Sequence, residues 1–309
     1  MADKIDLSII IVSYNTRDLL VGCIESIIKN ASGLAFEIIV VDNASTDGSL
    51  EALGKFLSLK TPTLRIMRNG ENVGFSKANN MGAEKAFGKY LLFLNSDTII
   101  DSQAISKVVS FLEENDQVEV ATCALKNKDG SLQGTGGYFP TLLRVFSWMT
   151  IQDLPLVDYF IKPFHPMKEK SFWKANRFYE RARELDWVTG AFLMTKASIF
   201  KQVGGFDEDY FMYTEDTDFC YKVKSLGYKV TYLPDLSITH LGGASSSEEY
   251  PILSEFNGVK MFYKKHMPEW QYLPLRIILK IGALGRVVVL GILKGKDVGR
   301  IYLKAFREI

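Results

Sequence analysis

Three apolar runs in this chain each end in a short polar group, and these groups carry the first chemistry legible in the sequence. The run LSIIIV leads into Ser13, Tyr14 and Asn15, EIIVV into Asp42 and Asn43, and YLLFL into Asn95, Ser96 and Asp97. A carboxylate that closes a buried strand is held in a fixed place. Asp42 can accept the ring N–H of a uracil or thymine base, or it can open a turn and, with Asp47, cap the next helix. Asp97 can bind a hard divalent cation that bridges the phosphates of a nucleoside diphosphate, or it can belong to a turn that begins at Ser96. His240, one of three histidines, offers a second ligand, its other reading being a structural imidazole. Carboxylate plus imidazole admits magnesium or manganese and leans towards manganese. Further on, YTEDTDF packs Glu215, Asp216 and Asp218 around the start of a helix. Acids there suit capping and the helix dipole, yet three exceed what a cap requires. One of them can act as a general base towards an acceptor hydroxyl.

These groups need elements to hold them. IDLSIIIV, EIIVVD, LRIM and YLLFLN read as strands, separated by helical stretches over Arg17 to Asn30, Ser49 to Leu57 and Ser76 to Phe87. That βαβα order predicts an α/β fold with a Rossmann-like, mainly parallel central sheet flanked by helices. The ligand crevice then lies beyond the carboxyl ends of the strands, where the polar groups cluster. GTGGYFP, Gly134 to Pro140, interrupts the pattern before an aromatic, basic stretch to about Arg183. Alternation resumes with DWVTGAFLMT, followed by the turn GGFDEDYF, a helix from Thr217 to Leu226 and the strand YKVTYLP. The expected division is one domain over 1–245, with an insertion at about 138–183, and a helical tail over 246–309 after the Gly/Ser-rich GGASSS.

Composition bounds the class. A chain of 309 residues with 47% apolar and 12% aromatic content can bury an extensive core. Cys23, Cys123 and Cys220 are far apart and set among apolar neighbours, so neither a disulfide framework nor a CxxC metal site is expected. The start MADKIDLSIIIV lacks the features of a secretory signal, and a reducing, cytoplasmic setting is expected. The net charge of +1 hides an asymmetry, because residues 260–309 carry eleven Lys or Arg against three Asp or Glu. From Lys162 to Arg183 there are seven Lys or Arg against two acids. Such patches suit an anionic membrane surface or a phosphate-bearing ligand, or are simply solvated. No nucleic-acid partner is expected.

Taken together, VSYN, EIIVVDNASTDGS, NGENVGFSKANNMGA, LNSD, DWVTGAFLM, GGFDEDYFMYTEDTDFC and the Thr239–His240 pair resemble the family-2 glycosyltransferases. The resemblance is to their bacterial rhamnosyltransferase-like branch, which elaborates surface polysaccharides, and it spans about residues 7 to 243. It implies a GT-A fold, a nucleotide-sugar donor, a divalent metal (manganese or magnesium) and inversion of the transferred sugar's anomeric centre. It also implies that Ser13, Asn15 and Asp42 hold the nucleoside, and that Asn72, Gly74 and Lys77 lie along the ribose and diphosphate. LNSD stands where the family has DxD, so Asn95 replaces the first acid; Asp97, the last, would share the metal with His240. Asp216 matches the family's base. Trp187, Gly190 and Ala191 would form the acceptor wall with Glu215 beside it, although Trp187 also reads as a core residue. Gly204, Gly205, Phe206 and Asp207 would form a tight turn that positions the acidic loop. The donor expected first is thymidine-diphosphate rhamnose, then a uridine-diphosphate hexose, and the acceptor a glycan or lipid-linked hydroxyl.

The tail segment LRIILKIGALGRVVVLGILK contains Arg276, Lys280, Arg286 and Lys294. At about 100° per residue these cations fall within roughly 120° of the helix circumference. The wide apolar face left over suits a helix lying in a membrane interface, or docking onto the catalytic domain. The first reading makes the protein peripheral at the inner face of the cell membrane. Two rival functions remain. A dinucleotide-dependent oxidoreductase shares the βαβ order but needs a G-x-G-x-x-G turn, which VSYNTRD does not supply. A catalytically silent carbohydrate-binding or scaffold protein would keep the fold without needing Asp97, Asp216 and His240 together.

Overall fold

A computed structural model describes residues 5–57, 63–152, 154, 157–165, 178–242 and 249–309. Most of the expected basic segment at Lys162 to Arg183 and of the GGASSS loop lies outside the described residues. The strands are β1 (Leu7–Ser13), β2 (Phe36–Asp42), β3 (Thr63–Arg68), β4 (Tyr90–Asn95), β5 (Thr98–Ile99), β6 (Val118–Lys126), β7 (Gly136–Gly137), β8 (Arg183–Leu185), β9 (Trp187–Val188), β10 (Phe192–Lys196) and β11 (Lys229–His240). The helices are α1 (Arg17–Asn30), α2 (Ser49–Ala52), α3 (Phe75–Glu84), α4 (Ala104–Glu114), α5 (Leu142–Thr150), α6 (Val157–Phe160), α7 (Ala197–Gln202), α8 (Glu215–Ser225), α9 (Glu249–His266), α10 (Tyr272–Leu293) and α11 (Lys296–Glu308).

One nine-stranded sheet runs in the order β3-β2-β1-β4-β10-β6-β11-β5, with β8 against β11. β1 pairs in parallel with both β2 and β4, which buries it on both sides and explains its unbroken apolar run. Alternate residues supply the two cores. Ile10, Leu91 and Phe93 face a cluster completed by Phe219 of α8 and by Phe256, Val259 and Phe262 of α9. Ile9, Ile11, Leu92 and Leu94 face Leu20, Ile24 and Ile27 of α1 and Ile105, Val108 and Leu112 of α4. β10 enters antiparallel between β4 and β6, which makes the sheet mixed.

Three local departures from the sequence reading have physical causes. The helix expected over Ser49 to Leu57 is one turn of α-helix followed by a 3₁₀ turn, Leu53–Phe56, that contains Gly54. The glycines of GTGGYFP form β7, paired with β9; a side chain on Gly136 would run into the Trp187 carbonyl. The strand expected to end at Pro234 continues to His240, because a register shift between Leu233 and Ser237 takes up the proline.

The tail packs on the body. Leu275, Leu279, Gly282 and Ala283 of α10 are buried, and a side chain on Gly282 would meet Met149 of α5 at 2.5 Å. Two of its cations turn inwards: Arg276 Nε donates to the Ile309 carbonyl at 2.7 Å and Arg286 to the Trp148 carbonyl at 2.6 Å, whereas Lys294 is exposed. On the opposite arc Leu273, Ile277, Ile281, Leu284, Val288 and Ile292 are exposed. α10 is thus docked by one apolar face and presents another to solvent. Among the described residues no helix is long and apolar enough to cross a membrane. The three cysteines are free and buried, and burial pushes the Cys23 thiol up to about 12 and the other two higher.

Removing residues 272–309 exposes this seam. The loss of Leu275 and Leu279 alone amounts to roughly 3–6 kcal/mol at about 1.5–3 kcal/mol per buried large side chain, a large share of a typical total. The truncated chain should unfold at much lower urea than the full chain, or without a cooperative transition.

Candidate active site

Strand register brings the first two polar groups together. Ser13 lies opposite Asp42 and Val12 opposite Asn95, so the carboxyl ends of β1, β2 and β4 are level. A string of hydroxyls ties the loops: Ser13 Oγ to Thr16 Oγ1 at 3.0 Å, and Thr16 Oγ1 to Ser96 Oγ at 3.0 Å. Above them opens a cavity of about 490 Å³ whose lining includes Asn72, Gly74, Asn95, Asp97, Gly190, Ala191, Glu215, Asp216 and His240.

Asp97 and His240 are joined by backbone pairing. The short β5 runs antiparallel to the end of β11, with His240 opposite Thr98, and the Leu241 N–H donates to the Asp97 carbonyl at 2.9 Å. The Asp97 carboxylate consequently stands 3.2 Å from His240 Nε2, with Asn95 Nδ2 at 3.3 Å from the same nitrogen. Among the described residues no group of three or more His, Cys, Asp and Glu could hold a metal. Two protein ligands nevertheless suit a hard cation that takes its remaining oxygens from phosphate and water.

The acidic loop is held under strain. Tyr213 and Thr214, at φ 73° and 76°, adopt the left-handed conformation unfavourable to side chains with a Cβ. They turn the chain so that α8 begins at Glu215. Asp216 accepts the Gly190 N–H at 3.1 Å and its own helix's Thr217 N–H at 2.7 Å. Burial raises its carboxyl to about 6, against the opposing pull of these N–H donors. Glu215 is buried, its Oε2 has no hydrogen-bond partner among the described residues, and burial together with the Asp216 charge raises it well above the ordinary range. Asp218 is fully buried and bound by His266 at 2.6 Å and Lys222 at 2.7 Å; these partners outweigh burial and hold it low, which removes it as a base. The loop rests on α9, where Gly258 faces Thr214 so closely that an added Cβ would lie 2.7 Å from the Thr214 Cβ.

The remaining candidates sit elsewhere. Ser13 and Asp42 are fully buried beneath the cavity; Asp42 Oδ2 accepts the Ser45 N–H at 3.1 Å, while Oδ1 has no partner among the described residues. Asn15 is exposed, with its Oδ1 bound to the Thr46 N–H at 2.8 Å, and Lys77 is exposed on α3; neither lines the cavity. Trp187 does not line the cavity: it packs in the core with its indole N–H on the Phe164 carbonyl at 3.2 Å. Gly74, at φ 88°, lets the Phe75 N–H reach the Phe211 carbonyl at 2.7 Å. Sequence reasoning missed Phe211, Tyr213 and Tyr250, which also line the cavity. The first two lie within motifs it had quoted but were given no role there, whereas Tyr250 comes from the tail and carries no local signal.

The sequence profile described as glycosyl transferase family 2 matches residues 8–203. The chain belongs to glycosyl transferase family 2. The match includes Asp97 and leaves the Asp216 loop, His240 and the tail outside it. This glycosyltransferase is 27% identical over 239 residues to a rhamnosyltransferase of Escherichia coli K12, covering 75% of this chain and 82% of that one. It is 23% identical over 257 residues to the N-acetylglucosaminyl-diphospho-decaprenol L-rhamnosyltransferase of Mycobacterium tuberculosis, covering 79% of each. Its fold is GT-A. A Pyrobaculum calidifontis mannosyltransferase in complex with GDP-mannose and Mn2+ superposes with a TM-score of 0.59 at 14% identity, over 99% of this chain and 87% of that one. GalNAc-T7 with UDP, GalNAc and Mn2+ gives 0.64 at 16%, over 100% and 57%.

Because Gly258 supports the strained loop, Gly258→Ala should displace Thr214 and with it Asp216. The transfer rate is expected to fall about 10- to 100-fold, the scale of a 1 Å misplacement. Donor affinity, measured by calorimetry, should change less than about threefold, because the donor's expected contacts lie on other loops.

Proposed function

We propose that this glycosyltransferase transfers a sugar from a nucleoside-diphosphate donor to a hydroxyl of a glycan or lipid-linked acceptor, with inversion, in the synthesis of surface polysaccharide or cell-wall glycan. The observation that carries this reading is a single cavity lined both by the Asp97–His240 pair and by a carboxylate raised to about 6. Asp97 and His240 would hold manganese or magnesium, which neutralises the charge on a departing diphosphate. Asp216, ionised at neutral pH, takes the acceptor's proton in a single displacement, and one displacement inverts the anomeric carbon. Glu215, whose carboxyl burial and the Asp216 charge raise well above the ordinary range, stands beside it in the cavity lining with an unpartnered oxygen placed to meet the acceptor. The unpartnered Asp42 Oδ1 supports a base N–H as its partner, with Ser13 beside it and with Asn72 and Gly74 of the cavity lining on the diphosphate side; Asn15 and Lys77, which do not line the cavity, take no part in this reading. Rhamnose is the sugar favoured by the names of the two bacterial relatives, with thymidine diphosphate as the carrier proposed first, and a decaprenol-linked substrate in one name favours a lipid-linked acceptor.

A lipid-linked acceptor calls for a route to the bilayer. The exposed arc of α10, with exposed Trp270 at one end and Lys294, Lys296 and Arg300 at the other, supports docking on an anionic cytoplasmic membrane face. Ile277→Glu with Ile281→Glu should abolish sedimentation with phosphatidylglycerol-containing vesicles and leave the melting temperature intact, since neither side chain is buried. Vesicle binding by the double variant equal to that of the parent rules the arc out.

Asp216 gives the sharpest test. As a base it must be ionised, so transfer should rise with pH through an apparent value near 6 that belongs to the Glu215–Asp216 pair. The raised value also has a stability sign. The folded state holds this proton more tightly than the unfolded chain, so the contribution is present below the ordinary carboxylate range and lost as pH rises through about 6. At neutral pH that costs at most about 3 kcal/mol. Asp216→Asn removes that cost but leaves one of the two N–H donors facing an amide nitrogen, a loss of about 1–3 kcal/mol, so the melting temperature should change little, while transfer falls roughly 10²- to 10⁴-fold with donor affinity unchanged. Near-normal transfer by this variant would reject Asp216 as the base.

A further inference from the structure

The turn that follows β6 makes hydrogen bonds whose directions are forced. The Asp129 carboxylate only accepts, and it takes Ser131 Oγ–H at 2.6 Å. Ser131 Oγ, its proton committed, accepts from Asn127 Nδ2 at 2.8 Å. The Asn127 amide is thereby oriented with Oδ1 towards Gln133, whose Nε2 donates to it at 2.7 Å and also to the backbone carbonyl of His240 at 2.7 Å. Both of those partners can only accept, so Gln133 Oε1 is the atom that faces His240 Nδ1, at 2.7 Å. An amide oxygen at that distance requires a proton on Nδ1.

We propose that Gln133 is a positioning residue that holds His240 in its Nδ1–H tautomer and so presents the Nε2 lone pair to the cavity beside Asp97. The Asn95 amide nitrogen at 3.3 Å from Nε2 is placed to donate to that lone pair. A bare nitrogen lone pair 3.2 Å from a carboxylate oxygen is an arrangement that a cation between them stabilises. A histidine ligand commonly has its other ring nitrogen fixed by such a partner, and losing that partner typically weakens metal binding about 10- to 100-fold. The backbone agrees with the side chains: the Gln133 N–H donates to the Leu125 carbonyl at 2.8 Å, so the turn is anchored on the strand beside β11. This assignment rests on the proposed metal reading of Asp97 and His240, and its two halves can be tested apart.

The chain has only three histidines, so long-range proton–nitrogen NMR of histidine-labelled full-length protein at mildly alkaline pH, with His240→Ala for assignment, reports the tautomer directly. Titration with manganese chloride, followed by the electron paramagnetic resonance of the free ion, reports affinity without turnover. The parent should show Nδ1–H at His240. Gln133→Ala should lose that preference and bind manganese about 10- to 100-fold more weakly at an unchanged melting temperature. A parent His240 protonated on Nε2, or a Gln133→Ala variant with the parent's tautomer and affinity, overturns the role of Gln133. Nδ1–H in the parent with a manganese affinity that His240→Ala does not change overturns only the metal reading beneath it.

Discussion

The site depends on two adjacent residues, Gly190 and Ala191, whose backbone groups bind in opposite directions. The carbonyl of Ala191 accepts the Asn95 N–H at 3.2 Å, while the neighbouring Gly190 N–H donates to Asp216 at 3.1 Å. One short piece of backbone, leading into the antiparallel β10, therefore fixes the turn that carries Asp97 and the acid at the start of α8. A larger side chain at Gly190 would press on the Phe75 ring, next to Gly74, because a Cβ there would lie 3.1 Å from it. Asp97 and Asp216 reach a common cavity because they share this step.

What could be read from the sequence followed the range of the interactions concerned. The strand-end places of Ser13, Asp42 and Asp97 were legible because each follows a run whose apolar pattern demands a buried strand, and parallel pairing levels the ends of β1, β2 and β4. The acidic cluster was legible because three acids exceed the needs of one cap, while the choice of Asp216 among them came from the family resemblance. The same reading left Trp187 open between wall and core, since an indole beside a glycine suits both. Only the packing of Phe164 and the Phe164 carbonyl, which takes the indole proton, places it in the core. The strand was stopped at Pro234 by a local rule that a bulge overrides, and with it went the pairing that sets His240 against Thr98. Gln133 and Tyr250 lie far in sequence from the groups they meet, so no local spacing could mark them.

The acidic loop holds strain and charge where a stable fold would avoid both. Two consecutive non-glycine residues have positive φ, Glu215 keeps an unpartnered oxygen, and Asp216 is raised by burial. Each lowers stability, and the loop persists because the rest of the structure over-determines it. α9 contributes both the contact under Thr214 and Phe256, Val259 and Phe262 to the main core. The tail thus belongs to the catalytic body as much as to any surface it touches.

The cysteines have a practical consequence. Cys23, Cys123 and Cys220 are buried and held as thiols far above neutral pH, and it is the thiolate that reacts. The native chain is therefore a silent background for thiol chemistry. A cysteine introduced for Ile277 or Leu284 would be the one fast-reacting group towards a maleimide dye. Its emission colour would report the polarity around α10 in the same sample whose sugar transfer is being timed.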